Sequence, residues 1–318
     1  MSNAIELRGL NKSFGQKQAV RDMSLDIPQG AMVGFIGPNG AGKSTTLRMV
    51  LSILFPDSGD IRVLGNDSAL KAKDRIGYLP EERGVYRKMK VSAFLQHMAI
   101  LKGVDRSAAK QRAEDWLGRV GLGDVGGKRC EELSKGMQQK VQFIASVIHE
   151  PELLILDEPF SGLDPVNMRL LRDLIQQQHA KGVTVLFSTH VMFQAEQLCQ
   201  HIVMINNGCK VLDDPLSAIR ARHAPRTLRF EPIDRAVDVG ASLAALPQIA
   251  DVEAIDESWQ LSLADGASLE AATQAVAACV APAKLELIRP TLEDVFIDIV
   301  SNGSDVDREA AAATEVAA

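Results

Sequence analysis

Gly37, Pro38, Asn39, Gly40, Ala41, Gly42, Lys43, Ser44 and Thr45 follow one another without a break. In this GxxxxGK[ST] spacing, small residues let successive backbone N–H groups converge on phosphate oxygens. Lysine adds a point charge, and the following hydroxyl, Ser44, can reach a divalent cation. Ala31 to Ile36 before the run is apolar and strand-like, and Thr46 to Leu51 after it is helix-like. Phosphates held there would lie at a helix N-terminus and its dipole. The glycines at 37, 40 and 42 do not fall in GxGxxG order, which disfavours a dinucleotide cofactor.

The second chemical segment is Leu153, Leu154, Ile155, Leu156, Asp157, Glu158 and Pro159. An apolar run ending in two acids reads as a buried parallel strand delivering carboxylates at its C-terminal end, the edge where α/β sheets bind ligands. Asp157 can hold a metal through its water shell. Glu158, one residue further, can accept a proton from a water attacking a terminal phosphate. A third segment, Leu133 to Lys140, precedes the helix-like Val141 to Ile148. By its residue types alone it is a helix start, with Ser134 as the cap.

In its order of segments the chain resembles the nucleotide-binding subunit of ATP-binding cassette (ABC) ATPases, from residue 4 to about 222. The family signature LSGGQ stands here as Leu133, Ser134, Lys135, Gly136 and Met137; Ser161 to Asp164 resembles the D-loop, and Ser188, Thr189, His190 the histidine segment. The resemblance implies ATP and Mg²⁺ as ligands. It also implies a head-to-tail pair of copies, with Ser134 and Gly136 facing the γ-phosphate held by the second copy and Asp164 on the seam. His190 would stabilise that phosphate, and Phe14 lies where the family stacks a ring on adenine. A separate membrane permease is the further partner implied.

Three positions depart from the pattern. Glu81 stands where most members place a metal-contacting glutamine, and Lys135 and Met137 replace the first glycine and the glutamine of the signature. Ionised glutamate only accepts hydrogen bonds and brings negative charge near the triphosphate, whereas glutamine offers a neutral carbonyl and an N–H donor.

The elements that must position these groups make an α/β P-loop NTPase cassette over residues 1–222, a mixed sheet with a helical lobe at about 85–150. Helix-like stretches are Val91–Lys102 and Ser107–Gly118. His201–Ile205 and Cys209–Leu212 read as a hairpin about Asn206, Asn207 and Gly208, with Asp213, Asp214 and Pro215 starting a short helix. Residues 226–300 form a small α+β domain, with strands expected at Thr227–Phe230, Trp259–Leu263 and Lys284–Ile288 and helices at Ala241–Leu246 and Leu269–Val280. Its last segment, Arg289 to Ile297, resembles the close of drug-resistance and sodium-efflux exporter cassettes. The alanine-rich and acidic stretch 303–318 is expected to fray.

The 318 residues, 46% hydrophobic and 24% charged, fit ordinary globular domains, and a net charge of −6 lacks the basic excess of a general nucleic-acid binder. Cys130, Cys199, Cys209 and Cys279 are scattered without metal-ligand spacing, so reduced structural thiols are expected. The cations Arg87, Lys88 and Lys90 read as a solvated face. No apolar run approaches the ~18 residues that span a bilayer. The chain is therefore expected to be cytoplasmic and peripheral on the inner face of the membrane, driving export. The alternative is a soluble ABC ATPase acting on ribosomes or DNA, but the chain has no second cassette, zinc module or heptad arm. A P-loop kinase or GTPase would have no reason to carry the Ser134 and Asp164 segments.

Overall fold

The computed structural model describes residues 2–82, 84–222, 226–234 and 239–301; the stretch 303–318, expected to fray, lies outside them. The chain divides into two compact units, Met1–Leu216 and Ser217–Ala318.

In the first unit, β1 (Asn3–Phe14), β2 (Lys17–Pro28) and β4 (Ser58–Val63) form an antiparallel sheet in the order β2-β1-β4. The larger sheet contains β3 (Met32–Ile36), β5 (Ile76–Leu79), β6 (Leu153–Asp157), β7 (Thr184–Thr189), β8 (His201–Asn206) and β9 (Cys209–Pro215). Its order is β5-β6-β7-β3-β8-β9, parallel except for β9. Every residue of β3, β6 and β7 is buried, as expected of parallel strands covered on both faces. The register sets Ile36 beside Thr189 and Asp157 beside Ser188. The phosphate loop, the acids and His190 therefore leave neighbouring strands at the same edge.

The loop leads into α1 (Lys43–Val50), and α2 (Val91–Leu101), α3 (Arg106–Arg119) and α4 (Lys135–Val147) follow in the segment before β6. Trp116 of α3 meets Phe143 of α4 edge to face at 6.3 Å. After β6 come α5 (Pro165–Ala180), α6 (Met192–Leu198) and α7 (Leu216–Arg222). Helix α1 starts three residues before the expected Thr46, because Gly42 takes a left-handed φ of 106° as its N-cap. The short helix expected after the hairpin is α7, which begins at Leu216; Asp213, Asp214 and Pro215 themselves still belong to β9. Asp213 is drawn into the hairpin by His201 Nε2 at 2.7 Å and Lys210 Nζ at 2.6 Å.

The second unit runs β10 (Thr227–Pro232), α8 (Val239–Ala244), β11 (Ile249–Ile255), β12 (Ser258–Leu263), α9 (Leu269–Cys279), β13 (Pro282–Ile288) and a helix over 292–301. The antiparallel sheet order β11-β12-β10-β13 is that of a split β-α-β pair. Its helices cover Leu228, Phe230 and Leu261 with Leu243, Ala272 and Val276. Among the described residues no helix is long and apolar enough to cross a membrane.

Candidate functional site

A cavity of about 330 Å³ opens over the phosphate loop, walled by Phe14, Lys17, Asn39, Lys43, Glu81 and Glu158 among others. The loop's shape depends on missing side chains. A Cβ on Gly37 would sit 2.1 Å from the Ile205 carbonyl oxygen, and one on Gly42 would sit 2.4 Å from that of Ala19. Neither backbone oxygen can withdraw without breaking a strand.

Lys43 is buried, and its Nζ donates to the carbonyls of Gly37 at 2.7 Å and Pro38 at 3.0 Å. Burial lowers its pKa, while Glu158, Asp157 and Glu81 favour the charged form. The ammonium is thus folded against its own loop at the entrance to α1, beside three carboxylates.

At the end of β6, Asp157 is 2% exposed and its Oδ1 has no hydrogen-bond partner; the buried Ser188 hydroxyl has none either. Burial raises the Asp157 pKa, opposed by the nearby Ser188 and Ser44 hydroxyls, although neither Ser188 Oγ nor Asp157 Oδ1 reaches ordinary hydrogen-bond geometry. A buried carboxylate oxygen without a partner is an incomplete coordination set. The described residues contain no group of three or more His, Cys, Asp or Glu able to hold a metal by themselves. The donors that are present, the unpartnered Asp157 oxygen and the Ser44 hydroxyl nearby, are hard oxygens of the kind that suit a small hard cation shared with phosphate oxygens.

Glu158 is held with unusual firmness. Its φ of 48° is left-handed, a conformation costing a non-glycine residue roughly 1–3 kcal/mol. Its N–H donates to Ser188 O at 2.9 Å. Its Oε1 accepts the His190 backbone N–H at 2.8 Å and lies 2.6 Å from His190 Nδ1, while its Oε2 accepts the Thr189 hydroxyl at 3.0 Å. Strand β7 thereby fixes the acid delivered by β6. Thr189 is a positioning residue that sequence reasoning missed; its only signal is its place beside His190.

Glu81, two residues beyond β5, lines this cavity and also a neighbouring one of about 300 Å³ shared with Arg48, Tyr78, Glu82 and Asp157. Burial, with Asp157 next in weight, pushes the Tyr78 hydroxyl up to about 12. Phe14 is 52% exposed on the cavity wall, with Lys12 Nζ 5.7 Å from its ring centroid. Pro38, Ala41 and Thr45 complete the loop, and the Ala41 carbonyl accepts from Gly208 N at 2.9 Å.

Ser134, Gly136 and Asp164 do not line this cavity. Ser134 caps α4 and accepts from Met137 N at 3.3 Å; Asp164 caps α5 and accepts from Asn167 N at 2.9 Å. A Cβ on Gly136 would lie 3.6 Å from Asn167 Nδ2 and 3.7 Å from Leu163 Cδ2, so these two segments pack together. Gln139 joins α4 to the acidic turn by donating to Pro159 O at 2.9 Å.

The sheet edge, loop and acids define a P-loop nucleotide-binding protein. The family described as "ABC transporter" matches residues 20–161, and the family described as "ATP-binding protein DrrA1-3-like, C-terminal domain" matches residues 215–300. The chain is 39% identical over 299 residues to the uncharacterized ABC transporter ATP-binding protein YhaQ of Bacillus subtilis, covering 92% of this chain and 96% of that one. It is 33% identical over 232 residues to the daunorubicin/doxorubicin resistance ATP-binding protein DrrA of Streptomyces peucetius, covering 72% and 70%. A solved structure described as the ATP binding subunit of an ABC transporter superposes with a TM-score of 0.64 at 30% identity, covering 69% of this chain and 92% of that one. The chain belongs to the ATP-binding subunits of ABC transporters, which bind ATP and are ATPases coupled to transport.

Proposed function

We propose that residues 1–222 are the motor of an exporter: two copies close head to tail on ATP and reopen after hydrolysis, driving a separate permease from the cytoplasmic face of the membrane. Residues 226–300 are its accessory domain. The loop amides of residues 37–45 and Lys43 hold the phosphates, and Phe14 stacks on the adenine. Ser44, Asp157 and Glu81 hold Mg²⁺, which when bound neutralises phosphate charge. Glu158, aligned by Thr189 and His190, takes the proton of the attacking water. His190, together with Ser134 and Gly136 of the second copy, stabilises the charge that develops, and Asp164 lies on the seam.

The observation that carries this reading is the unpartnered Asp157 Oδ1 next to a Glu158 fixed by three contacts at the mouth of the loop. Export as the direction rests on the second unit's match and on the resistance protein among the relatives. The relatives named above carry transporter or drug-resistance names. The test is mass spectrometry of what co-purifies, from detergent-solubilised native cells, with the Glu158→Gln form held with ATP. A multi-span membrane protein at equal stoichiometry is expected; ribosomal or DNA-bound proteins instead would overturn the reading.

A further inference from the structure

Strand β13 is an edge: in the described residues it pairs with β10 alone, leaving a row of N–H and C=O groups on its other side without a strand partner. Exposed edges are usually blunted by bulges, prolines or charged side chains, lysine above all, and a charged edge accepts only a strand whose charges complement its own. Here the seven-residue strand carries a proline only at its first position, Pro282. On the face away from the core, Lys284 and Glu286 are about half exposed and 2.6 Å apart. Leu285 and Leu287 pack toward the core.

The charges form a checkerboard with β10. The register sets Arg229 beside Glu286 and Glu231 beside Lys284. We infer that β13 is a self-association surface whose occupant is the β13 of a second copy, paired antiparallel about Leu285 so that the two sheets become one. In that register Lys284 faces Glu286 of the second copy. One rung then reads Arg229, Glu286, Lys284, Glu231 across the seam, positive and negative in strict alternation. The next rung is the same in reverse. A slip of two residues sets Lys284 against Lys284 or Glu286 against Glu286. A slip of one sets the charged face against the core face. Opposite charges across strands stabilise and like charges oppose, so only one register is complementary. Each edge has one register irregularity, at Ile249/Asp251 beside β11 and at Glu231/Pro232 beside β13, so charge is what separates them: β11 presents Asp251 and Glu253, and self-pairing about Val252 juxtaposes acids. This contact needs no nucleotide, so it goes beyond the ATP-dependent closure proposed above and can fail independently of it.

The experiment is sedimentation of the full chain without nucleotide at low ionic strength, where surface charges are least screened. Wild type is expected to self-associate. Lys284→Glu and Glu286→Lys each place like charges at both symmetric pairs and should weaken association by roughly tenfold or more. An equimolar mixture of the two variants restores both pairs and should recover the dimer. Hydrogen exchange of wild type provides a readout that needs no variant: protection of the β13 amides should rise with protein concentration. A monomeric wild type, a single variant that associates like wild type, a mixture that stays apart, or concentration-independent exchange in β13 would each overturn the inference.

Discussion

Replacing Glu158 by glutamine should remove most ATP turnover while leaving the fold and ATP binding near native. The structure allows the two effects to be sized separately. The glutamine oxygen can still accept the His190 backbone N–H that Oε1 now takes at 2.8 Å. The new NH₂ replaces the oxygen that accepts from Thr189 Oγ1 at 3.0 Å. That hydroxyl can reverse its role, accepting from the amide and donating to Gln194 Oε1 at 3.2 Å. What is lost is the charge assistance in these bonds, and the repulsion from Asp157 is relieved at the same time. The net change in stability should stay within about 1 kcal/mol. Chemistry has no such compensation, since an amide cannot take the proton. Loss of a positioned general base costs roughly 10²–10⁴ in rate, about 2.7–5.5 kcal/mol of transition-state stabilisation. Steady-state phosphate release, equilibrium nucleotide binding and thermal melting on the same preparations separate the three quantities. Turnover within about threefold of wild type would refute the base assignment; lost binding or a collapsed melting temperature would show that the carboxylate's role is structural.

Two further outcomes follow from the same geometry. Glu81→Gln, which removes a negative charge from the wall shared with Asp157, should shift the Mg²⁺ concentration for half-maximal hydrolysis; an unchanged titration removes Glu81 from the metal site. His149 is buried with Nε2 3.1 Å from Ile76 O and Nδ1 unpartnered, and burial depresses its pKa from 6.5 to about 4. Between those two values the unfolded chain binds a proton that the folded chain refuses. Stability should therefore fall as pH drops from about 6.5 toward 4, by at most ~3 kcal/mol from this residue. Urea unfolding at several pH values should show a shallower slope in His149→Gln, and an unchanged slope would exclude burial of this ring as the cause.

The phosphate loop, the acids of β6 and the parallel strands β3 and β8 could be read from residue types because their chemistry is local. A run of apolar residues buried on both faces announces itself, as do glycine spacing and a lysine. Strands β1, β2, β4 and β11 were not legible for the opposite reason. β11 alternates Asp251 and Glu253 with Ala250, Val252 and Ala254, a period of two whose apolar positions are small, so it is a weak strand signal that only the pairing with β12 makes plain. Thr189 is similar. Its hydroxyl matters because β6 and β7 lie side by side with Asp157 next to Ser188, a tertiary fact with no local signature. Nor does any residue type announce the left-handed turn at Glu158.

The signature segment shows why a helix cap and a composite phosphate site are hard to tell apart: one side chain can serve both. Ser134 Oγ accepts from Met137 N through a lone pair, at a long 3.3 Å. Its hydroxyl hydrogen finds no acceptor in the described residues, so the cap leaves the donor free for an oxygen outside the chain. Asp164 differs. One of its oxygens takes the Asn167 backbone N–H at 2.9 Å and the other the Asn167 side-chain amide at 2.5 Å. Those two hydrogen bonds from Asn167 hold its carboxyl below the usual carboxylate range. Of the two caps, Ser134 therefore keeps its hydroxyl hydrogen available for the trans contact proposed above, while both carboxyl oxygens of Asp164 are engaged in shaping the turn. Ser134→Ala should then impair hydrolysis more than it impairs stability, and Asp164→Ala should do the reverse. Phosphate release and melting measured on the same two variants decide it, and equal losses of turnover from both would dissolve the distinction.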